Sequence, residues 1–262
     1  MNKLPISALV VSCNEGHLLE DCLKSLSFCD EIFGVNLESN DNTEGLFKRY
    51  ANKYENMIRV PLVEEIHPII IPLLKNDWII LIDPDERILE QLQNDIKRTI
   101  LDAPNNACTY RVPMINYFRN RKLKGTVYGG IKYARLLYKK SAINLSANVH
   151  TGIQMKDGYE RYKIKFTGDN YDKHLWCSSW KQLLEKHKRY IKGEGKSRYN
   201  SGLYYNAKEK YKTCIIKFYY SFKTLKGYKD GLTGFLLSFL AARYEFLSWN
   251  SLRNYTKALK NK

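Results

Sequence analysis

An apolar run, Ile6–Val11, ends abruptly in the polar Ser12-Cys13-Asn14-Glu15. Such a run reads as a buried parallel strand with a polar loop at its carboxyl end. Leu18, Leu19, Cys22, Leu23 and Leu26 then recur at helical spacing. A second short apolar run, Glu31–Val35, leads into the polar loop Asn36–Asn42. Asp41 or Thr43 is placed to cap a helix carrying Leu46, Phe47 and Tyr50. Trp78–Ile82 is a third strand, closed by Asp83-Pro84-Asp85-Glu86, and Leu89, Leu92, Ile96 and Ile100 mark the helix after it. This alternation predicts an α/β fold with a doubly wound, Rossmann-like sheet. Ligands of such sheets sit outside the carboxyl ends of the strands, so Ser12–Glu15, Asn36–Asp41 and Asp83–Glu86 are expected to share one edge.

Beyond Ala107 the pattern changes. Cys108–Pro113 and Ala134–Tyr138 read as strands separated by the basic segment Arg119–Lys132, and Tyr162–Phe166 as a weaker strand. Helices dominate from Ser178, over 178–191, about 209–223, and Leu232 to about Trp249. The expected organisation is a catalytic domain over 1–175 and a helical, basic appendage over 176–262. No internal repeat or low-complexity linker interrupts them.

Charge sharpens that division. Residues 1–107 hold 10 Lys and Arg against 18 Asp and Glu, a net of −8, whereas 108–262 hold 33 against 9, a net of +24. A uniformly basic nucleic-acid binder would not segregate charge in this way. An acidic catalytic half joined to a basic docking half would. The six cysteines (13, 22, 29, 108, 177 and 214) show no Cys-x-x-Cys pair and no metal-ligand spacing, as expected of buried thiols in a reducing compartment. The start of the sequence lacks the apolar stretch of a signal peptide, and no run of about 18 apolar residues could span a bilayer, so the expected location is cytoplasmic.

Asp83-Pro84-Asp85 carries the clearest chemistry. Two carboxylates stand one residue apart at a strand end, with proline stiffening the turn. Mg²⁺ and Mn²⁺ take oxygen ligands and keep positions open for substrate phosphates. The plainer alternative, a solvated Asp-Pro turn, is disfavoured by the Ile-Ile-Leu-Ile strand before it and the two polar loops beside it.

Several segments together resemble a known family. Ser-Ala-Leu-Val-Val-Ser-Cys-Asn-Glu (7–15), Leu-Lys-Ser-Leu-Ser-Phe-Cys-Asp-Glu-Ile (23–32), Ser-Asn-Asp-Asn-Thr (39–43) and Asp-Trp-Ile-Ile-Leu-Ile-Asp-Pro-Asp-Glu-Arg (77–87) are similar to family 2 glycosyltransferases of the GT-A fold. Asn116-Tyr-Phe, Arg135-Leu-Leu, Val149-His150, His174, Lys188-Arg-Tyr and Gly227-Tyr-Lys-Asp-Gly-Leu extend the likeness toward the subgroup containing lipopolysaccharide-core β-glucosyltransferases. The resemblance implies a nucleotide-sugar donor, most often UDP-linked, with Mg²⁺ or Mn²⁺. Ser12, Asn14 and Glu15 would flank the base, with Asn36 and Asp41 on the neighbouring loop. Asp83 would lie by the ribose and metal, and Asp85 would be the direct metal ligand, braced by Glu86 and Arg87. Such enzymes invert the anomeric centre in one in-line displacement, which requires a base near the acceptor hydroxyl.

Two departures from the family pattern matter. Asn36 stands where relatives usually carry an Asp, and Ile131 and Thr151 stand where close relatives have an Asp and a Glu. His150 is then the foremost candidate base or additional metal ligand, with Glu160 and Asp157 as weaker ones. His174 is a candidate either for the donor phosphates or for holding the appendage, and Arg135 for a phosphate or an acid of the turn. His17 and His187 fall within helical patterns and read as structural.

The last helix is broken by Arg243 and Glu245, and Lys217, Lys223, Lys226 and Lys229 precede it. Together they suit a helix at the inner face of the cell membrane, where a lipid-linked saccharide acceptor would be met. The alternative for that helix is packing within the appendage or across a homo-oligomer. Two rivals to the transferase remain: a nucleotidyltransferase, whose Gly-rich basic loop is missing from Ser12–Glu15, and a degenerate, non-catalytic GT-A scaffold or basic binding protein.

Overall fold

The structure, a computed structural model, describes residues 3–145 and 153–260. It divides into two compact units, one of Met1–Met114 with Lys132–His174 and one of Ile115–Ile131 with Leu175–Lys262. The second unit takes in 115–131 from the basic segment as well as the C-terminal helices.

In chain order the elements are β1 (Leu4–Ser12), α1 (Gly16–Ser25), β2 (Cys29–Leu37), α2 (Thr43–Tyr50), β3 (Lys53–Met57), α3 (His67–Ile70), β4 (Trp78–Ile82), β5 (Glu86–Ile88), α4 (Glu90–Leu101) and β6 (Ala107–Phe118). There follow β7 (Arg121–Lys122), β8 (Ile131–Lys139), β9 (Ile143–Leu145), β10 (Ile153–Met155), β11 (Glu160–Lys163), β12 (Asp172–Cys177), α5 (Trp180–Asn200), α6 (Ala207–Tyr219) and α7 (Gly231–Lys260).

The main sheet has the order β3-β2-β1-β4-β8-β6-β12-β5, with β7 and β11 also pairing with β6. β1 runs parallel to β2 and β4, whereas β8 is antiparallel to β4 and β12 to β5. The sheet is therefore mixed, as expected of a GT-A fold. The chain steps outward from β1 to β3 and returns to β4 on the other side of β1. That reversal creates a crevice outside the carboxyl ends of β1 and β4.

β1 is mostly apolar because both of its faces are covered. Ile6, Ala8 and Val10 pack with Leu19, Leu23, Phe47, Leu92 and Ile96 of α1, α2 and α4. Leu9 and Val11 face the opposite cluster around Ile66, Ile70 and Ile71. Gly34 of β2 makes room for the Phe47 ring, which a Cβ at 34 would meet at 2.3 Å. β3 escapes the hydrophobic pattern because it is an edge strand, Lys-Tyr-Glu-Asn-Met, with mostly exposed side chains.

In the second unit Phe118, Leu123, Cys177, Leu183 and Leu237 form the core. The Ser179 hydroxyl caps α5 by accepting from the Gln182 N–H, and Asn206 caps α6 through the N–H groups of Lys208 and Glu209. α5 and α7 both outrun their expected ends. Gly195 lies in the middle of α5 because α7 crosses it there, so closely that a Cβ would come 2.5 Å from the Ser251 carbonyl. All six cysteines are free thiols. Among the described residues no helix is long and apolar enough to cross a membrane.

Candidate active site

The three polar loops do meet at one edge of the parallel sheet. Ser12 pairs with Asn36 in the β1–β2 register, and Val10 with Ile82 in β1–β4. The first two loops are tied directly. The Asn14 N–H donates to Ser39 Oγ at 2.9 Å, and Asn14 Oδ1 accepts from the Asn40 N–H at 2.7 Å. Asn14 adopts φ +57° and Glu38 +48°, the left-handed conformation that short polar side chains tolerate best. Ser12 is buried and its hydroxyl has no hydrogen-bond partner in the described structure, while the Glu15 carbonyl caps the start of α1.

Asn36 has a physical reason to be an amide. Its Nδ2 donates to Asn56 Oδ1 at 2.9 Å, and its Oδ1 accepts from the Ser39 N–H at 3.2 Å. A carboxylate could only accept, and would face the Asn56 oxygen without a proton between them. Asp41 accepts from the N–H of Gly16 at 2.8 Å and from the N–H and hydroxyl of Thr43 at 3.0 and 2.6 Å. Burial opposes its ionisation, but these donors outweigh it and hold the carboxyl below its usual range. Asp41 thus joins the loop after β1 to the start of α2; the residue at the N-cap itself is Asn42.

The acidic turn is braced from beneath. Asp83 is exposed and Asp85 half-buried, whereas Pro84, Glu86 and Arg87 are buried. Glu86 Oε2 accepts from the Asp83 N–H at 3.1 Å, and Arg87 Nη1 donates to the Pro84 carbonyl at 2.6 Å. Arg87 Nη2 also holds the Leu18 carbonyl of α1. The bracing expected of Glu86 and Arg87 is what the structure shows.

Two residues of β12 complete the site. His174 pairs with Glu86 and Asp172 with Ile88 in the β12–β5 register, so both side chains lie on one face of the strand. His174 Nε2 stands 3.3 Å from Asp85 Oδ2. Burial disfavours the imidazolium, but the hydrogen bond and charge of Asp85, with Glu86 and Asp83 behind it, raise the His174 pKa overall. Asp172 is fully buried and accepts from the Arg87 N–H at 3.2 Å. Burial pushes its carboxyl up to about 8 and raises that of Glu86, whose neighbours Asp172 and Asp83 add to the effect. Burial thus favours the protonated form of both acids. Asp172 escaped the sequence reading; its signal was the Asp-x-His alternation of a strand, which aims both side chains to one side.

Other candidates fall elsewhere. Glu160 is exposed on β11 and pairs with Ala107 at the beginning of β6, where its carboxylate accepts from the Tyr162 hydroxyl at 2.9 Å. Lys139, opposite Trp78 at the amino end of β4, reaches Asn105 just before β6. Glu160 is therefore level with the wrong end of β4, about 13 Å or more along the strands from the acidic turn. That register removes it as a base. Asp157, in the turn before β11, belongs to the same end. Arg135 lies in β8 two residues beyond Leu137, the partner of Ile80, and so toward the acidic edge; its side chain is outside the described residues. His150 also lies outside the described residues.

Asp83 and Asp85 offer hard oxygen donors suited to Mg²⁺ or Mn²⁺. Among the described residues no group of three or more His, Cys, Asp or Glu side chains could enclose a metal ion. Two carboxylates with open positions are the donor set of an ion shared with substrate phosphates.

The fold and its acidic edge thus define a GT-A-type α/β protein. Full-length similarity agrees with that class. The chain is 22% identical to an uncharacterized glycosyltransferase of Rickettsia conorii over 98% of its own length and 92% of the relative's, and 23% identical to another of Rickettsia felis over the same shares. Residues 1–349 of S. aureus TarS superpose with a TM-score of 0.49 at 12% identity, covering 98% of this chain and 92% of that one. No protein-family model matches the sequence. The full-length similarity to these two relatives supports a glycosyltransferase.

Proposed function

We propose that the protein is a metal-dependent, inverting glycosyltransferase. In this reading it moves a sugar from a nucleoside diphosphate, with uridine as the base, to a hydroxyl of a bacterial cell-surface glycan or its lipid-linked precursor. The observation that carries the reading is the acidic turn Asp83–Asp85, held at the carboxyl end of β4 beside the cross-tied loops Ser12–Glu15 and Asn36–Asp41.

Each residue then has a task. Ser12, Asn14, Glu15 and Asn36 flank the base, and Asp83 and Asp85 hold the cation. A bound Mg²⁺ or Mn²⁺ would neutralise the charge on the departing diphosphate. His174 orients Asp85, while Glu86, Arg87 and Asp172 keep the turn from relaxing. The acceptor's proton falls to His150, the remaining candidate base. The lipopolysaccharide-core subgroup supplies the acceptor class through the quoted motifs alone. It suits a protein working at the inner face of the membrane.

The test is a panel of UDP- and GDP-sugars with Mn²⁺, read as released nucleotide. Turnover with one UDP-sugar that Asp85→Asn abolishes is the expected result. Full activity in Asp85→Asn would remove the metal assignment. Absence of binding and turnover with every donor would return the chain to the reading of a non-catalytic scaffold.

A further inference from the structure

α6 and α7 pack against each other as a hairpin joined through a π-helical turn, Tyr220–Thr224, and a 3-10 turn, Gly227–Asp230. Only part of α7 is available to a partner. Leu237, Ala241, Trp249 and Leu252 are buried, so α7 cannot lie flat on a lipid surface along its whole length, as its sequence suggested. What stays exposed is its first turns. Leu232, Phe235 and Phe239 recur at helical spacing and are 73%, 44% and 55% exposed.

α6 exposes a matching stripe. Tyr211, Ile215 and Tyr219 follow one another at four-residue steps and are 58%, 71% and 62% exposed. Aromatic rings join the two stripes near the turn: Phe235 stands 5.5 Å from Phe218 and 5.8 Å from Phe222, ring centre to ring centre. The exposed apolar surface therefore continues from one helix to the other.

Cations surround this surface. Residues 207–243 contain seven Lys and one Arg against two acids, Glu209 and Asp230. Both acids are engaged internally. The Asp230 carboxylate accepts from the N–H groups of Lys124 and Gly125, and Glu209 pairs with Lys212 at 3.4 Å. Lys223, Lys226 and Lys229 are exposed at the turns between the helices.

We propose that the exposed face of the α6–α7 hairpin docks the protein onto an anionic lipid surface. Ile215, Leu232, Phe235 and Phe239 enter the interfacial layer, and Lys223, Lys226 and Lys229 contact the headgroup phosphates. Tyr211 and Tyr219 suit the boundary, where a ring is buried and its hydroxyl stays wet. Apolar insertion and basic attraction together bind a peripheral protein more firmly than either alone. A second copy of this chain is a poor occupant. A two-fold contact presents the same patch from both sides, setting three lysines against three with no free acid between them.

The inference deepens the acceptor half of the proposed function and rests on that reading for its purpose. The test is flotation of the full chain with phosphatidylcholine vesicles, with or without about 30% phosphatidylglycerol, at about 0.1 and 0.5 M salt. Binding to the anionic vesicles is expected to be on the order of tenfold tighter and to weaken with salt. Ile215→Ser with Phe239→Ser should lose about tenfold in binding, as should Lys223→Gln with Lys229→Gln, with circular dichroism unchanged in both. A tryptophan placed by Leu236→Trp should shift to the blue on anionic vesicles. Equal binding to neutral vesicles, no binding at all, or binding untouched by the variants would overturn the proposal. So would a dimer in light scattering that the apolar variant dissolves. Donor hydrolysis without vesicles should be the same in every variant. Its absence from the unmodified protein, with vesicle binding intact, would strike the proposed function and leave this surface standing.

Discussion

His174 Nε2 lies 3.3 Å from Asp85 Oδ2, across the short antiparallel pairing of β12 with β5. The contact restrains the carboxylate proposed as direct metal ligand. Partners of this kind set the orientation of a ligand, and losing one typically costs about 10- to 100-fold in metal affinity. His174→Ala should therefore raise the Mn²⁺ concentration for half-maximal donor hydrolysis by that order, with a smaller loss at saturating metal. His174→Gln, which keeps a donor near Asp85, should recover part of the affinity. A metal titration unchanged in His174→Ala would show that Asp85 is oriented without it.

Asp172 offers a second test of the braced turn. It accepts from the Arg87 N–H and neighbours Glu86, both acids being buried. Asp172→Ala leaves the buried Arg87 N–H without its acceptor, at a cost of about 1–3 kcal/mol. Asp172→Asn keeps the acceptor and offers Glu86 a permanent donor, so its cost should stay below about 1 kcal/mol. Denaturant unfolding with a chelator present measures both. Equal losses in the two variants would mean that the carboxyl itself, not the acceptor that the amide preserves, governs the position.

Much of this was legible in the sequence because strands covered on both faces cannot hide. Ile6–Val11 and Trp78–Ile82 announce themselves by their strong apolarity, and the loops after them follow from sheet topology. β3 was invisible because an edge strand needs no apolar side chains, and Lys53–Met57 has only Tyr54 and Met57 partly covered. Asp172 was invisible because its role comes from β12 pairing with β5, a contact between residues 85 positions apart. Glu160 was misjudged for the converse reason. Its side-chain chemistry suits a base, but strand register carries it to the opposite end of the sheet.

The segment Gly227-Tyr-Lys-Asp-Gly-Leu stood out only by resemblance, and the structure gives it a mechanical role. A Cβ at Gly234 would come 1.9 Å from the Gly227 carbonyl, and one at Gly227 would come 2.8 Å from the Ser221 carbonyl. Backbone cannot yield as a flexible side chain can. Gly234→Ala should therefore destabilise the second unit by about 2 kcal/mol or more, outweighing the gain in helix propensity. A melting temperature equal to or above that of the unmodified protein would contradict this.

The second unit should also lose stability in acid through His187. This side chain is buried, its Nε2 shares a hydrogen bond with the Tyr128 hydroxyl at 3.1 Å, and its ring stands 4.9 Å from that of Tyr244. Burial, with the nearby charge of Arg243, lowers its pKa from 6.5 to about 4. Between those values the unfolded chain binds a proton that the folded unit refuses, so stability rises with pH across the window and levels off above it. The sign is opposite to that of a histidine stabilised by an acid. His187→Gln keeps a partner for the Tyr128 hydroxyl but cannot take up the proton. Its melting temperature should therefore fall less than that of the unmodified protein between pH 6.5 and about 4. Parallel acid curves for the two proteins would mean that other groups account for the loss.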